Sequence, residues 1–310
     1  MSVVRLARAT VLLIGLLGLF LAGCSPSQVT FDKAALSQVK TVAVVLYTVP
    51  LSIQVREDPR GDDNKNESGT MALLKSVAQA AANTGDGNRA ATLAQESFIE
   101  TLNKQDLPFK ALTRDQMMAK NEFATLARDR RDAIQAEMAK KAEEREKKQG
   151  AMGKAMGMLA SLSGGSAATE ETAIGASPDG IPSYGLVGNW SSANSALLGV
   201  QAEQDYLVKA AQALGVDAVV AINDPGYSWG CSTCINNTGS ASTQSAFLVT
   251  MVDRSGKPIL QMRQWFASGG GSAAMVSGII NPLQHDGLFK GHGEKTAEVF
   301  ADYYKEESAK

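Results

Sequence analysis

An α/β fold, with helices packed on a small mixed sheet and a long charged helical insertion interrupting it, is predicted by three features of this 310-residue sequence. Short β-branched runs alternate with helices that carry an apolar stripe. One helix-to-strand join is written out in full as Ala213-Leu-Gly-Val-Asp-Ala-Val-Val220. The two halves of the pattern are separated by a segment that is first densely charged and then rich in Gly and Ser.

Taken in order, Thr41-Val-Ala-Val-Val-Leu-Tyr47 has the composition of a buried strand. Arg56 to Glu67 is a polar loop. Its Asp62, Asn64 and Asn66 imitate the start of a calcium loop, but Glu67 and Leu73 stand where Gly and Glu are required, so calcium is not expected. Met71 to Asn83 is alanine-rich and reads as a helix, which Gly85-Asp-Gly87 breaks. Asn88 can cap a second helix whose stripe is Ala91, Ala94, Phe98 and Leu102. Phe109 to Leu112 is a short strand, and Thr113-Arg-Asp-Gln116 has the form of a capping box.

From there a helix is expected to run without Gly or Pro to Gln149. Fourteen of the 21 residues from Arg128 to Lys148 are charged, eight basic and six acidic, which describes a solvated arm of coiled-coil type and a candidate docking element for a partner. Ser161 to Gly188 is dominated by Gly, Ser, Ala and Pro and reads as a flexible linker. Order resumes at Ser191 or Ser192, with Leu197, Val200, Leu207, Ala211 and Leu214 on one side of a helix that Gly215 ends. Val216 to Ile222 is a strand. Ser245 to Val252 and Pro258 to Phe266 form a hairpin about Asp253-Arg-Ser-Gly-Lys257, and Glu294 to Glu307 is the last helix, burying Thr296, Val299, Phe300 and Tyr303.

The first residues have a different character. Arg5 and Arg8 precede an apolar run from Ala9 to Ala22, shorter than the roughly 20 residues that span a bilayer, as in an export signal. The run ends in Leu21-Ala-Gly-Cys24, which resembles the lipobox of bacterial lipoproteins. That resemblance implies loss of residues 1–23 and acylation of Cys24, while Ser25 in place of Asp implies transfer to the outer membrane, facing the periplasm. Two or three acyl chains hold a protein on a membrane where one does not. The expected divisions are thus a signal over 1–23, a tether over 24–40, domain halves over 41–113 and 191–310, and the insertion over 114–190.

Removing the signal takes two of 30 basic residues and none of 32 acidic ones, leaving 28 against 32 and a net charge of −4. No clustered basic surface is suggested, and nucleic acid is not an expected partner.

Cys231 and Cys234 stand in Trp229-Gly-Cys-Ser-Thr-Cys234. A disulfide clip on a loop, a metal-holding pair and a redox centre are all open to a Cys-x-x-Cys. The oxidising compartment and the turn-forming run after Cys234 favour the clip. A four-thiol zinc site lacks a third available thiol. His285 and His292, with Asp286 and Glu294, lie in what reads as a Gly-broken loop and are candidates for a divalent metal and hence for a metal-dependent hydrolase. Their spacing lacks the i, i+4 pattern of helical zinc motifs, and neither a nucleophile elbow nor a phosphate-binding Gly-rich loop is present. No catalytic residue, metal site or cofactor is therefore expected.

The order of elements, together with Ala213 to Val220, resembles the periplasmic α/β domain of curli-secretion lipoproteins, the TolB amino-terminal domain and lipoprotein activators of penicillin-binding proteins. The resemblance covers about 41–112 and 191–308 and implies a structural or interaction role in an envelope assembly. Where the curli-secretion family inserts segments for a membrane barrel, this chain inserts the charged helix.

Overall fold

The computed structural model describes residues 30–50, 85–130, 204–224, 226–235, 238–276 and 279–310, with a few short pieces between them. In chain order its strands are β1 (Thr30–Phe31), β2 (Thr41–Thr48), β3 (Ser52–Ile53), β4 (Gly85–Asp86), β5 (Lys110–Ala111), β6 (Ile174–Ala176), β7 (Pro182–Tyr184), β8 (Ala218–Asn223), β9 (Ser228–Ile235), β10 (Thr238–Asp253), β11 (Pro258–Val276) and β12 (Ile279–Ile280). The helices are α1 (Lys33–Leu36), α2 (Gly87–Lys104), α3 (Arg114–Met118), α4 (121–130), α5 (Gln204–Leu214) and α6 (His285–Ala309).

The α/β class holds. The main sheet has the order β1-β11-β10-β8-β2-β5, with β2 parallel to both β8 and β5 and the remaining pairs antiparallel. β8 lines the near half of β10 and β9 the far half. β12 closes on the far end of β11. Two short ladders, β3 with β4 and β6 with β7, are not hydrogen-bonded into it.

The central strands are apolar on every successive residue because both faces of a parallel pair are covered. β2 is buried from Val42 through Thr48 and β8 throughout. α2 and α6 pack together over β2 and β11, and α5 packs on β2, β8 and β10. Val44, Phe98, Leu207, Val219 and Phe300 are all buried in this core.

The capping box forms as its residues require. Thr113 Oγ1 accepts from Gln116 N–H, and Gln116 Oε1 accepts from Thr113 N–H at 2.9 Å. Gly215 ends α5 at φ 69° and Gly256 turns the hairpin at φ 86°, both left-handed as expected. The Asp217 carboxylate of the helix-to-strand join accepts from the backbone N–H groups of Lys40 and Thr41 at 3.0 and 2.9 Å, fastening the start of β2 to that of β8.

Three expectations are corrected. The helix from 114 is not continuous: α3 ends at Met118 and α4 starts after a turn at 119–120. Met117, Phe123 and Ala127 are buried in the main core, so the insertion cannot begin at 114. Arg114, itself buried, donates to Gln95 Oε1, and Gln95 Nε2 donates to Val44 O at 2.6 Å, tying α3 through α2 to β2. Second, the last helix begins at His285, nine residues before Glu294, and buries Tyr304 more deeply than Tyr303. Third, the cysteine motif lies in strand β9 rather than in a loop. The expected helix over 71–83, the calcium-like run, most of the charged arm and Cys24 lie outside the described residues.

Glycines in α6 allow its early start. A Cβ on Gly291 would lie 2.2 Å from the Gly270 carbonyl carbon of β11, and one on Gly293 would lie 2.0 Å from Ala94 O of α2. Helix propensity is sacrificed there, since Gly costs about 1 kcal/mol relative to Ala in a helix interior, so that backbones can meet.

Candidate functional site

The polar groups that the fold buries most completely gather where β8 ends against α6. Asp224 follows the last residue of β8, with no exposed surface. Its Oδ1 accepts from the N–H groups of Gly226 and Ala246 at 3.1 and 3.3 Å, and its Oδ2 from Ser245 Oγ at 2.5 Å. His292 Nε2 lies 3.0 Å from the same Oδ2, off the alignment of a hydrogen bond. The imidazole, fully buried, stacks on the Tyr227 ring at 3.8 Å with planes 9° apart and meets Tyr47 edge-on at 6.2 Å.

Neighbouring groups complete a closed polar knot. Trp229 Nε1 donates to Tyr227 Oη at 3.3 Å, Tyr227 Oη donates to Leu288 O at 3.4 Å, and Thr296 Oγ1 donates to His292 O at 2.9 Å. Burial, and secondarily the Asp224 charge, holds the Tyr47 phenol well above its ordinary range. Burial likewise pushes the Tyr227 phenol far up, so both rings stay protonated.

Ser, Asp and His invite comparison with a nucleophilic triad, and the order of contacts argues against it. In a triad the imidazole stands between hydroxyl and carboxylate and takes the hydroxyl proton. Here the carboxylate stands in the middle, and Ser245 donates to Asp224. Ser245, Asp224 and His292 are each at most 1% exposed, so a substrate has no approach to them. What this arrangement does chemically is satisfy donors on β10 and on the turn after β8 with one acceptor residue.

The candidate metal residues are not brought together. His285 and His292 are two turns apart on α6, about 10 Å along the axis at 1.5 Å per residue, whereas metal–nitrogen bonds are near 2 Å. His285 is half-buried against Trp229 at 4.6 Å and Phe289 at 6.2 Å, and burial lowers its pKa. Asp286 is engaged by Arg89, whose Nε and Nη2 donate to the two carboxylate oxygens at 2.6 and 2.5 Å. Glu294 points into solvent. Among the described residues no three His, Cys, Asp or Glu side chains are grouped to hold a metal ion.

Cys231 and Cys234 sit in a strand with a register shift. Cys231 stands opposite Ala241, Thr233 opposite Ser240 and Cys234 opposite Gly239, so Ser232 is an extra residue. In an unbroken strand, positions three apart lie on opposite faces and about 10 Å apart. The bulge sets Cys231 and Cys234 opposite positions only two rows apart on β10.

Sequence reasoning had named His285, His292, Asp286 and Glu294 but missed Asp224, Ser245 and Tyr227. The available signal was an acid between two buried strands, in Ile222-Asn-Asp224-Pro, and a hydroxyl entering the apolar run Ser245 to Val252. An open groove of about 560 Å³ between α1 and the end of α6, lined by Phe31, Leu36, Leu107 and Tyr304, is mostly apolar and holds no comparable cluster. No protein-family model matches the chain, and comparison with curated proteins gives no match.

Proposed function

We propose that the chain is a lipoprotein anchored through Cys24 at the periplasmic face of the outer membrane, acting as a structural or interaction module in an envelope assembly rather than as an enzyme. The observation that carries the reading is Leu21-Ala-Gly-Cys24 placed directly after a basic start and an apolar run. Support comes from the polar knot, in which Ser245, Asp224 and His292 are buried and face no cleft. The metal-dependent hydrolase alternative gains nothing from the geometry, since its two histidines stand two helical turns apart.

The charged arm, largely beyond the described residues, is the proposed contact for a protein partner, and the bulged β9 supports a disulfide between Cys231 and Cys234. Fractionation of the Cys24→Ala variant tests the anchor. Loss from the membrane fraction, or retention of an uncleaved signal, is expected. A trimmed Cys24→Ala product that fractionates with membranes as the wild type does refutes it. Crosslinking in cells followed by copurification of the intact protein tests the partner, with capture expected to require the 128–148 stretch.

A further inference from the structure

Charge is distributed unevenly along this chain. One residue in five is charged overall, yet neither 225–252 nor 264–284 contains a single Asp, Glu, Lys or Arg. These runs build β9, most of β10 and β11, and β12.

Large apolar side chains are also exposed there. Ile235 is 81% exposed, Trp265 61%, Val276 62%, Ile279 36% and Leu283 92%. Four of them share one face of the sheet. Phe266, Ala273 and Met275 of β11 are buried beneath α6, while Trp265, Ala267, Ala274 and Val276 between and beyond them are exposed on the opposite face. At the far end Val276 stands opposite Ile279, and Ile235 opposite Thr238 one position beyond the Gly239–Met275 pair, so these residues form one row across four strands.

We infer that this uncharged outer face, from Trp265 to the row of Ile235, Val276 and Ile279, rests on the surface of a lipid bilayer. The inference builds on the anchor reading above. The face measures about 35 Å along β11 and about 15 Å across the strands, roughly 500 Å², which falls short of the roughly 800 Å² per partner of a stable protein interface. A bilayer requires no matching surface. It does require that no charge be carried into it, which the two sequence runs satisfy, and tryptophan is enriched where protein meets the headgroup layer.

The tether permits the same pose. β1 joins β11 at Leu260 and Gln261, the end remote from Val276. Five residues stand between Cys24 and Thr30, and these six steps reach about 20 Å at most, so the end of the domain that carries β1 stays close to the membrane. From that end β11 can lie along the surface, which brings the outer face down. The contact is peripheral, and no described helix is long and apolar enough to cross a membrane.

Full-length lipidated protein reconstituted into vesicles of phosphatidylethanolamine and phosphatidylglycerol with brominated acyl chains tests this. With Trp190 changed to Phe throughout, tryptophan emission is expected to be quenched, and Trp265→Phe to abolish the quenchable part, because Trp229, the one other tryptophan left, is buried. The pair Val276→Glu with Ile279→Glu should at least halve the quenching while the protein still floats with the vesicles. Should that pair fail to fold, the wild type against Trp265→Phe comparison decides alone. Protein that floats with equal quenching in wild type and Trp265→Phe overturns the face and leaves the anchor standing. Crosslinks between copies through this face, with Trp265 unquenched, overturn it in favour of a second copy. Protein that does not float at all overturns the face and the anchor together.

Discussion

Replacing Asp224 by Ala removes one residue's acceptors from three donors at once, two of them buried and one half-buried. The N–H groups of Gly226 and Ala246 and the hydroxyl of Ser245 would keep their burial and lose their partner. Each orphaned donor costs about 1–3 kcal/mol, and partial relaxation or an entering water offsets some of the sum, so a loss of about 4 kcal/mol is expected. For a domain of this size 1 kcal/mol corresponds to about 2–4 °C, which places the melting temperature about 8–16 °C lower. Asp224→Asn is the informative companion. Its amide oxygen can keep both backbone donors, and its NH2 can donate to Ser245 Oγ, which becomes an acceptor. About 1–2 kcal/mol should be lost, mainly the stronger charge-assisted bond. Guanidinium denaturation followed by circular dichroism, with the slope unchanged between variants, measures both. An Ala variant within 1 kcal/mol of wild type, or an Asn variant no milder than Ala, would show that the knot does not depend on this carboxylate.

Gly293→Ala forces a methyl group to within 2.0 Å of Ala94 O and should cost about 1–3 kcal/mol by calorimetry, whereas the same change at an open helix position would stabilise. The Asp217 carboxyl experiences burial, which raises its pKa, but donation from Lys40 and Thr41 prevails and holds it below the ordinary 3.8. Its stabilisation is therefore present above that value and lost as pH falls through the lowered one, so the deficit of Asp217→Asn should be plain at pH 7 and vanish in strong acid. Nonreducing mass spectrometry of protein from the envelope should find Cys231 joined to Cys234, and two alkylatable thiols would exclude that pairing. Deleting 114–188 removes Met117, Phe123 and Ala127 from the core and should abolish cooperative melting. Deleting 134–188, with a short Gly/Ser linker, should preserve it.

What the sequence disclosed was whatever local chemistry decides. Thr113 and Gln116 lie three residues apart and can satisfy each other's backbone without tertiary help, and Gly215 and Gly256 occupy conformations that few other residues tolerate. The β-branched runs placed β2 and β8 because a doubly covered strand has no polar face to disguise it. The start of α6 was hidden for a converse reason. Gly287, Gly291 and Gly293 lower local helix propensity, and only the backbones of Gly270 and Ala94, distant in sequence, explain the presence of the last two. Strand β9 was hidden because Gly and Ser suit both a turn and a flat strand packed at close range. Asp224 could be read as an acid, but its three donors come from positions up to 22 residues away, which no short-range pattern encodes.

The pairing of β2 with β8 also determines when the chain can fold. Thr48 meets Ile222 across 174 residues, and Thr30 meets Gln261 across 231. On the proposed export route the almost wholly buried strand β2 emerges early from a membrane pore and finds its principal neighbour only after most of the polypeptide has followed. Until then an almost wholly apolar octapeptide stays unpaired, and loop closure over so many residues delays its capture. Passage through an aqueous compartment in that state favours a holding chaperone, and maturation is paced by arrival of the carboxyl-terminal third.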